Sequence, residues 1–458
     1  MKKIFPSPGP SFIPPTMTKT FAAVMPFLLS LATILLPSQP ATAAAGGDDP
    51  YLWLEQVESP TSLEWVSQQN AATTGALENL ADYTGLKTDV KKILFAKDNV
   101  PFSSFRQGYF YNFWQDAEFK HGLIRRATLA EYRREKPRWD VILDLDKLSK
   151  QETENWVYKN STQLGETSPR YILNLSRGGK DATVVREFDY QTREFIADGF
   201  NVPEANTTIT PINENLVLLA TSLDPADITN SGYPRSVKLW KRGQPAEQAE
   251  TIYTAEKTDA LVSAGVTRDG SNNYVTISRV IDFYQTEVFL RQRDGSLRPL
   301  PIPKSANFLD IQGGQVYAQL KDDLSLRDRL IPANTVLRFP LSAATLDAAE
   351  VVFSAATRQT IEGVSVTKAG IYVQLLDNVR TQVLRLNLGS DGTWKSIRLP
   401  FPDTGALNFD PRSDRDASSF PLITYTDYLT PKTQYLVHDE DESFRLEKLK
   451  AAPARFDA

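Results

Sequence analysis

A short strand-like motif recurs seven times along this 458-residue chain, at a spacing of about 50 residues. Each copy alternates β-branched or aromatic residues with polar ones, and most copies are followed by a turn. Successive copies start 44, 52, 51, 48, 47 and 52 positions apart. We take one anchor residue from each copy: Val141, Val185, Val237, Val288, Val336, Val383 and Tyr435.

Seven copies at this period predict an all-β fold, a seven-bladed β-propeller. A propeller blade is a four-stranded antiparallel sheet that cannot bury both of its faces alone, so the blades stack around an axis. One or two large β-sandwiches would also repeat strands, but a sandwich has no reason to repeat them at a fixed long period. We expect the blades to occupy residues 98–452, with each anchor in the corresponding strand of its own blade.

A short helical segment is predicted before the propeller, over residues 46–97. Ser59 can cap a helix whose first position is Pro60, and Leu63 and Val66 follow at helical spacing. A second apolar series continues this pattern to about residue 95. The propeller is therefore expected to follow a helical N-terminal segment.

Residues 1–45 have the composition of a secretory signal peptide. They combine basic residues, an apolar run from Phe21 to Leu36 and small-residue cleavage motifs between Ala41 and Ala45. A retained membrane anchor would need a longer apolar run. We predict an exported protein, periplasmic or secreted, that does not associate with the membrane after signal removal; translation could begin at Met1 or at Met17.

Charge and cysteine content exclude several classes of function. The formal net charge is -5 and the pI is about 5.4, which argues against a nucleic-acid partner. The chain has no cysteine, so a disulfide, a thiolate nucleophile and a cysteine-based metal site are all excluded. We expect no cofactor.

The chain offers no catalytic or metal-binding residue that we can assign. It contains two histidines, His121 and His438, and we expect both to be solvated at the surface. No G-x-S-x-G motif occurs, so no nucleophile elbow can be placed. The acidic run Asp439–Glu442 would alternate across a strand or loop rather than converge on a cation, and we expect it to be solvated.

Two further features have structural rather than catalytic interpretations. Gly178, Gly179 and Lys180 superficially resemble a phosphate loop, but they lack its spacing and we predict a hairpin turn. Tryptophans are expected on strands, where they would pack between blades rather than form a ligand platform. These are Trp114, Trp139, Trp156, Trp240 and Trp394.

An ordered set of motifs resembles the prolyl oligopeptidase family of serine peptidases. In chain order they are DPYLWLEQVESPTSLEWVSQQN, YFYNFWQDAEFKHGLIRRATLAEYR, WDVILDLDKL, LSRGGKDATVVREFD, SGYPRSVKLWKRG and LTPKTQYLVHDEDESFRLEKLKAAPARFD. They extend from about residue 48 to the last residue. The final motif is similar to the family's junction between the propeller and the α/β-hydrolase domain, so we expect residues 453–458 to begin a linker to a hydrolase domain absent from this sequence.

The resemblance implies a function for the propeller. In the family the hydrolase domain supplies the catalytic Ser, Asp and His, and the propeller caps the active site and admits only short, flexible peptides. None of the three catalytic residues has a matching position in this sequence. The chain is therefore expected to be the gating part of a serine endopeptidase, truncated or split from its catalytic half and inactive alone. Its expected partners are short peptides, reached through the hydrolase domain, and a separately encoded hydrolase half. The alternative is a free-standing exported propeller used as a binding module.

Overall fold

Seven four-stranded sheets follow one another along the chain in a computed structural model. The structure describes residues 49–96, 98–100, 102–367, 370–410, 422–440 and 443–454. The expected signal peptide and most of the expected linker lie outside these residues. The described chain divides into a helical unit that ends at residue 96 and a strand unit that follows it.

The helical unit contains two α-helices, α1 (Pro60–Glu78) and α2 (Tyr83–Leu94), after one 3-10 turn at Leu52–Glu55. The Ser59 hydroxyl accepts a hydrogen bond from the Ser62 amide at 3.1 Å, and Pro60 takes the first helical position, as the sequence predicts. Most of the apolar side chains of both helices are exposed. In the described part of the chain, no helix is long and apolar enough to cross a membrane.

The strand unit consists of seven blades, each with its strands in chain order. Blade 1 contains β1 (Ser104–Arg106), β2 (Tyr109–Trp114), β3 (Leu123–Thr128) and β4 (Asp140–Asp144), with α3 (Leu129–Tyr132) before β4 and α4 (Leu145–Glu152) after it. Blade 2 contains β5 (Trp156–Gln163), β6 (Arg170–Arg177), β7 (Thr183–Asp189) and β8 (Glu194–Phe195), and β9 (Val202–Ala205) also pairs with β7. Blade 3 contains β10 (Thr207–Asn213), β11 (Leu216–Thr221), β12 (Ser236–Lys241) and β13 (Glu250–Thr254).

The remaining four blades repeat this order with one insertion. Blade 4 contains β14 (Leu261–Asp269), β15 (Asn272–Val280), β16 (Thr286–Arg291) and β17 (Leu297–Pro299). Blade 5 contains β18 (Asn307–Gln312), β19 (Gln315–Gln319), β22 (Thr335–Pro340) and β23 (Glu350–Ser354), with a separate hairpin of β20 (Leu324–Leu326) and β21 (Arg329–Ile331). Blade 6 contains β24 (Gln359–Thr367), β25 (Gly370–Asp377), β26 (Arg380–Leu388) and β27 (Trp394–Arg398). Blade 7 contains β28 (Ala406–Asp410), β29 (Leu422–Thr426), β30 (Thr433–Glu440) and β31 (Ser443–Ala451).

Most of the hydrophobic core lies between the blades, and one further cluster of buried apolar side chains lies within blade 5, beneath its extra hairpin. Each pair of neighbouring blades shares its own cluster of buried apolar side chains, and the seventh cluster joins blade 7 to blade 1. The first strands of successive blades contact one another, as β10 does with β14 and β14 with β18, so the first strands surround the axis. The protein is a seven-bladed β-propeller, and the predicted fold class is confirmed.

Six of the seven sequence anchors occupy the same place in their blades. The residues from Val185 to Tyr435 all lie in the third strand. Val141 does not, because it lies in β4, the fourth strand of blade 1. The expectation of equivalent strands is wrong at this position. The true third strand is β3, where Arg125 and Arg126 interrupt the apolar alternation that marks the other copies.

Candidate docking face

The blade topology gives the propeller two distinct ends. In an antiparallel meander, the connections between strands 1 and 2 and between strands 3 and 4 lie at one end, which we call the hairpin face. The connections between strands 2 and 3 lie at the other end, which we call the loop face. Strand β1 begins and strand β31 ends at the loop face, so the chain enters and leaves the propeller there.

Exposed apolar side chains are concentrated on the loop face. Among the described propeller residues, six large apolar side chains are more than half exposed, and all six lie in connections between second and third strands. They come from blades 4, 5, 6 and 7 and are Phe283, Tyr284, Leu330, Val379, Tyr428 and Leu429. Exposed apolar side chains on one face make that face a candidate surface for binding another macromolecule.

Aspartate side chains hold two of these loops in shape. The Asp282 carboxylate accepts hydrogen bonds from the amides of Tyr284 and Gln285 at 2.7 and 2.8 Å. Asp427 does the same for the Leu429 amide at 2.9 Å. Such Asx turns fix the backbone, so the apolar side chains project outward without relying on a buried core.

The Asp427 carboxylate has a second hydrogen-bond donor. The Tyr425 hydroxyl donates to it at 2.6 Å. This hydrogen bond, with smaller contributions from the hydrogen bonds of Thr430 and Leu429, lowers the pKa of Asp427 to about 2 against the opposing effect of burial. The carboxylate therefore stays ionised, and the Asx turn intact, across the pH range in which most proteins function.

Val379 is a strained residue on the same face. It follows Asn378 in the two-residue turn between β25 and β26, and both residues have positive φ, of 60° and 47°. A two-residue turn of this kind favours Asn followed by Gly. A β-branched residue in the left-handed region is an outlier, yet the Val379 side chain is 89% exposed and packs against little. The stability of the propeller does not explain why a valine occupies this position.

Sequence reasoning missed this face, although a signal was present. Two of the loops contain an aspartate followed directly by two apolar residues, in the segments DFYQ (282–285) and DYLT (427–430). Apolar residues inside a turn-forming segment are unusual, because turns normally carry polar side chains. The repeat spacing would have placed both segments between corresponding strands.

The two histidines are partly exposed, and each also contacts other groups of the chain. The Nδ1 atom of His121 lies 2.9 Å from the Trp156 carbonyl, and Asp146 accepts hydrogen bonds from the His121 backbone amide. The His438 side chain is only 17% exposed, with Nε2 at 2.7 Å from the Glu447 carboxylate. Both residues are partly exposed, so the predicted solvation holds only in part, because each ring also has a partner within the chain. Neither arrangement resembles a base poised beside a nucleophile.

The other predicted features have structural roles. Gly178 and Gly179, at φ 68° and 91°, form the hairpin turn between β6 and β7, as predicted. The acidic run falls partly outside the described residues, at 441–442, and its first two residues end β30. In the described part of the chain, no group of three or more His, Asp or Glu side chains could hold a metal ion.

The tryptophans mostly pack between blades, as predicted. Trp156 is buried between blades 1 and 2, and Trp240 between blades 2 and 3. Trp394 packs against the cluster of blades 5 and 6, and Trp139 against that of blades 7 and 1. Trp139 precedes β4 rather than lying on a strand, so its predicted strand position is wrong. Trp114 instead lies under the Arg125 guanidinium, 4.5 Å from the ring centroid.

The fold is that of a seven-bladed propeller, and comparison with known proteins gives its family. Residues 42–448 match the family described as prolyl oligopeptidase, N-terminal beta-propeller domain. The chain belongs to this family.

Two curated relatives are peptidases without an established role. An uncharacterised peptidase of Sinorhizobium fredii is 33% identical over 97% of this chain and 62% of its own length. An uncharacterised peptidase of Rickettsia prowazekii is 27% identical over 84% of this chain and 55% of its own length. The chain thus spans about three fifths of the length of the curated relatives it matches.

Solved structures give the same result. A post-proline cleaving enzyme from Rickettsia typhi superposes with a TM-score of 0.80 at 26% identity, over 88% of this chain and 60% of that one. Oligopeptidase B from Trypanosoma brucei superposes with a TM-score of 0.68 at 18% identity, over 88% of this chain and 56% of that one. The second likeness is one of fold alone. The first likeness agrees with membership of the prolyl oligopeptidase propeller family.

Proposed function

We propose that this chain is the substrate-gating propeller of a prolyl oligopeptidase-like serine endopeptidase, and that its loop face docks a catalytic hydrolase domain. The observation that carries the proposal is that all six highly exposed large apolar side chains of the described propeller residues lie on that one face. A docked propeller covers the active site and admits only short, flexible peptides.

Three features of the chain support this assignment. The chain enters and leaves the propeller at the loop face, so a domain that follows in sequence begins beside it. Loops held by Asp282 and Asp427 present their apolar side chains without needing to reorganise on binding, which lowers the entropic cost of docking. The relatives are longer than this chain by the length of a further domain.

The DNA that follows the codon of Ala458 gives the first test. We expect it to encode, in this frame or a neighbouring one, a G-x-S-x-G motif followed by an aspartate and a histidine. Such a region supplies the nucleophile, the orienting acid and the base that acyl transfer requires. Its absence from the whole neighbourhood of the gene would favour the free-standing binding module instead.

Association of the two halves gives the second test. The propeller and the separately expressed hydrolase half should form a complex that hydrolyses a chromogenic proline peptide but not a folded protein, whereas the propeller alone should hydrolyse neither. Replacing Phe283 and Tyr284 together by serine should weaken the complex at least about tenfold, the loss expected for two buried aromatic anchors. The matched control is Leu388→Ser, an exposed apolar residue where β26 ends at the hairpin face.

The outcomes of the association experiment separate the alternatives. Equal weakening by the loop-face and hairpin-face variants would mean that docking uses another surface. Peptide hydrolysis by the propeller alone, lost on His121→Ala or His438→Ala, would mean that the propeller has its own active site.

We also propose that the mature protein is exported. The basic start, apolar run and small-residue motif of residues 1–45 support this proposal. N-terminal sequencing of the protein recovered from the exported fraction should begin shortly after residue 43 or 45. Recovery of the full-length chain from the cytoplasm would contradict it.

A further inference from the structure

Three segments of the chain meet at Lys432 on the loop face. Lys432 ends the connection between β29 and β30, which also carries the exposed side chains of Tyr428 and Leu429. Its carbonyl accepts a hydrogen bond from the Ala452 amide at 2.8 Å, where the chain leaves the propeller. Its ammonium lies 4.6 Å from the ring centroid of Phe102, where the chain enters the propeller. Lys432 therefore lies beside both points at which the propeller is joined to the rest of the chain.

The Lys432 ammonium has no hydrogen-bond or ion-pair partner among the residues that the structure describes, and its polar interaction there is with the Phe102 ring. The side chain is partly buried, and burial lowers the pKa of Lys432, with no carboxylate of the described chain opposing this effect. The nearest acid in sequence, Asp427, accepts hydrogen bonds from the Tyr425 hydroxyl and from amides of its own turn. The propeller thus carries an unpaired cation beside its exposed apolar residues.

Other lysines of the propeller have the partner that Lys432 lacks. Burial also lowers the pKa of Lys450, but its ammonium donates a hydrogen bond to the Arg134 carbonyl. Lys304, at the loop face of blade 4, pairs with Glu287 at 2.7 Å. Charges removed from water are normally paired, because an unpaired one loses its hydration without compensation. The missing anion at Lys432 therefore indicates a partner from outside the described chain.

The position of Lys432 favours one source for this anion. A domain that follows Ala452 in sequence is tethered within a few residues of Lys432, because the Ala452 amide is bonded to the Lys432 carbonyl. Such tethering gives the groups of that domain a high effective concentration at the cation. A carboxylate is the side-chain anion that complements an ammonium.

We propose that Lys432 anchors the docked hydrolase domain by pairing with one of its carboxylates. This inference rests on the proposed function, because it names the chemistry by which the same loop face recognises that domain. Tyr428 and Leu429 would exclude water from the pair once they are covered, and attraction between charges is stronger where water is excluded. Apolar contacts are non-directional, so the ion pair would fix the orientation in which the domain docks.

Binding of the hydrolase half to the full mature chain, measured by calorimetry, tests the proposal. Lys432→Met keeps an apolar contact with Phe102 but removes the charge, and it should weaken the complex at least about thirtyfold, the low end of the loss when a buried charge pair is broken. Lys432→Arg keeps the charge and should retain most of the affinity. The matched control is Lys241→Met, at an exposed lysine where β12 ends at the hairpin face, and it should leave the affinity unchanged.

The stability of the isolated chain separates docking from folding. Lys432→Met should leave the thermal midpoint unchanged or raise it, because the change removes an unpaired cation from a partly buried position. A lysine that stabilised the propeller itself would lower the midpoint when replaced.

The titration of Lys432 in the complex reports the chemistry of its partner. Lysines of the mature chain are isotope-labelled by reductive methylation and titrated by NMR with and without the hydrolase half. A carboxylate beside Lys432 should raise its pKa on docking, since it favours the charged form, whereas an apolar cover would lower the pKa further. The signal of Lys241 should not change on docking.

The outcomes distinguish this inference from the proposed function. Weakening by the Phe283 and Tyr284 double variant but not by Lys432→Met would mean that the loop face docks the domain without an ionic anchor. A pKa of Lys432 that falls on docking would exclude a carboxylate partner. A lower thermal midpoint of Lys432→Met would mean that Lys432 serves the propeller alone. Failure of the unmodified chain to bind the hydrolase half would overturn the proposed function, and the anchor with it.

Discussion

The hydroxyl of Tyr132 donates a 2.7 Å hydrogen bond to Oε1 of Gln434, across 302 positions of sequence. Tyr132 belongs to blade 1 and Gln434 to blade 7, and both are buried. The Gln434 amide also donates to the Ser103 carbonyl at 3.0 Å. Blade 1 is built only from strands near the N-terminal end of the propeller, and blade 7 only from strands near its C-terminal end. No blade combines strands from both ends, so contacts between side chains close the ring.

Removing the Tyr132 hydroxyl should loosen this closure. Tyr132→Phe leaves the buried Oε1 of Gln434 without its donor, which costs about 1–3 kcal/mol in the free energy of unfolding. Urea unfolding monitored by circular dichroism measures the loss. Tyr284→Phe, at an exposed position of the loop face, is the control and should change stability by less than about 0.5 kcal/mol. Equal stability of the two variants would show that this hydrogen bond does not hold the ring closed.

Ring closure should also weaken in acid. Arg133 of blade 1 holds Glu447 of blade 7 at 2.7 Å, and this hydrogen bond lowers the pKa of Glu447. A carboxyl with a lowered folded-state pKa stabilises the fold above its unfolded pKa of about 4.3, and the stabilisation is lost as the pH falls through the folded value.

Glu447→Gln tests this dependence. The difference in urea midpoint between wild type and Glu447→Gln should be greatest above pH 5 and should shrink as the pH falls below about 4. Glu247→Gln, at an exposed position, is the control and should show no such trend. A difference that stayed constant with pH would mean that the charge of Glu447 contributes nothing to closure.

Replacing Val379 by glycine should stabilise the propeller. The left-handed conformation costs a β-branched residue about 1–3 kcal/mol, and glycine removes this cost. Part of the resulting stabilisation is lost, because glycine has more conformational freedom in the unfolded chain. We expect a net gain of about 1 kcal/mol, measured as a higher thermal midpoint. The control Val351→Gly, at a partly exposed strand position, should instead lower the midpoint. Destabilisation by both changes would show that the turn is unstrained. If Val379 serves docking, Val379→Gly should also weaken the complex with the hydrolase half.

The helical unit should be the first part of the isolated chain to be cleaved by protease. Its helices expose Leu63, Leu77, Leu86 and Ile93, and such apolar surface stabilises a helix only when something covers it. Mass spectrometry of a brief thermolysin digest should find the first cuts within residues 50–96. Protection of this segment in the complex with the hydrolase half would identify its partner. Protection equal to that of the blades in the isolated chain would contradict the prediction.

The sequence by itself determined the number of blades and the position of the third strand in six of the seven. Third strands are buried on both faces between neighbouring blades, so their alternating pattern recurs wherever the fold repeats, from Val185 to Tyr435. The exception, Val141, was marked by its spacing. The interval of 44 residues to Val185 is the shortest of the six, because that anchor lies one strand late in its blade. The sequence also predicted helix capping by Ser59, since the cap depends on residues only three positions apart.

Only the tertiary structure decided which residues meet across the ring and which faces they form. The link from Tyr132 to Gln434 and the ion pair of Glu447 with Arg133 join opposite ends of the chain, and no local pattern encodes their partners. The loop face draws on separate blades, so its side chains share one face only when seven sheets share one axis. The local spacing of residues specifies each blade, because the strands of a blade are neighbours in sequence. Contacts between blades depend instead on how the blades stack in three dimensions.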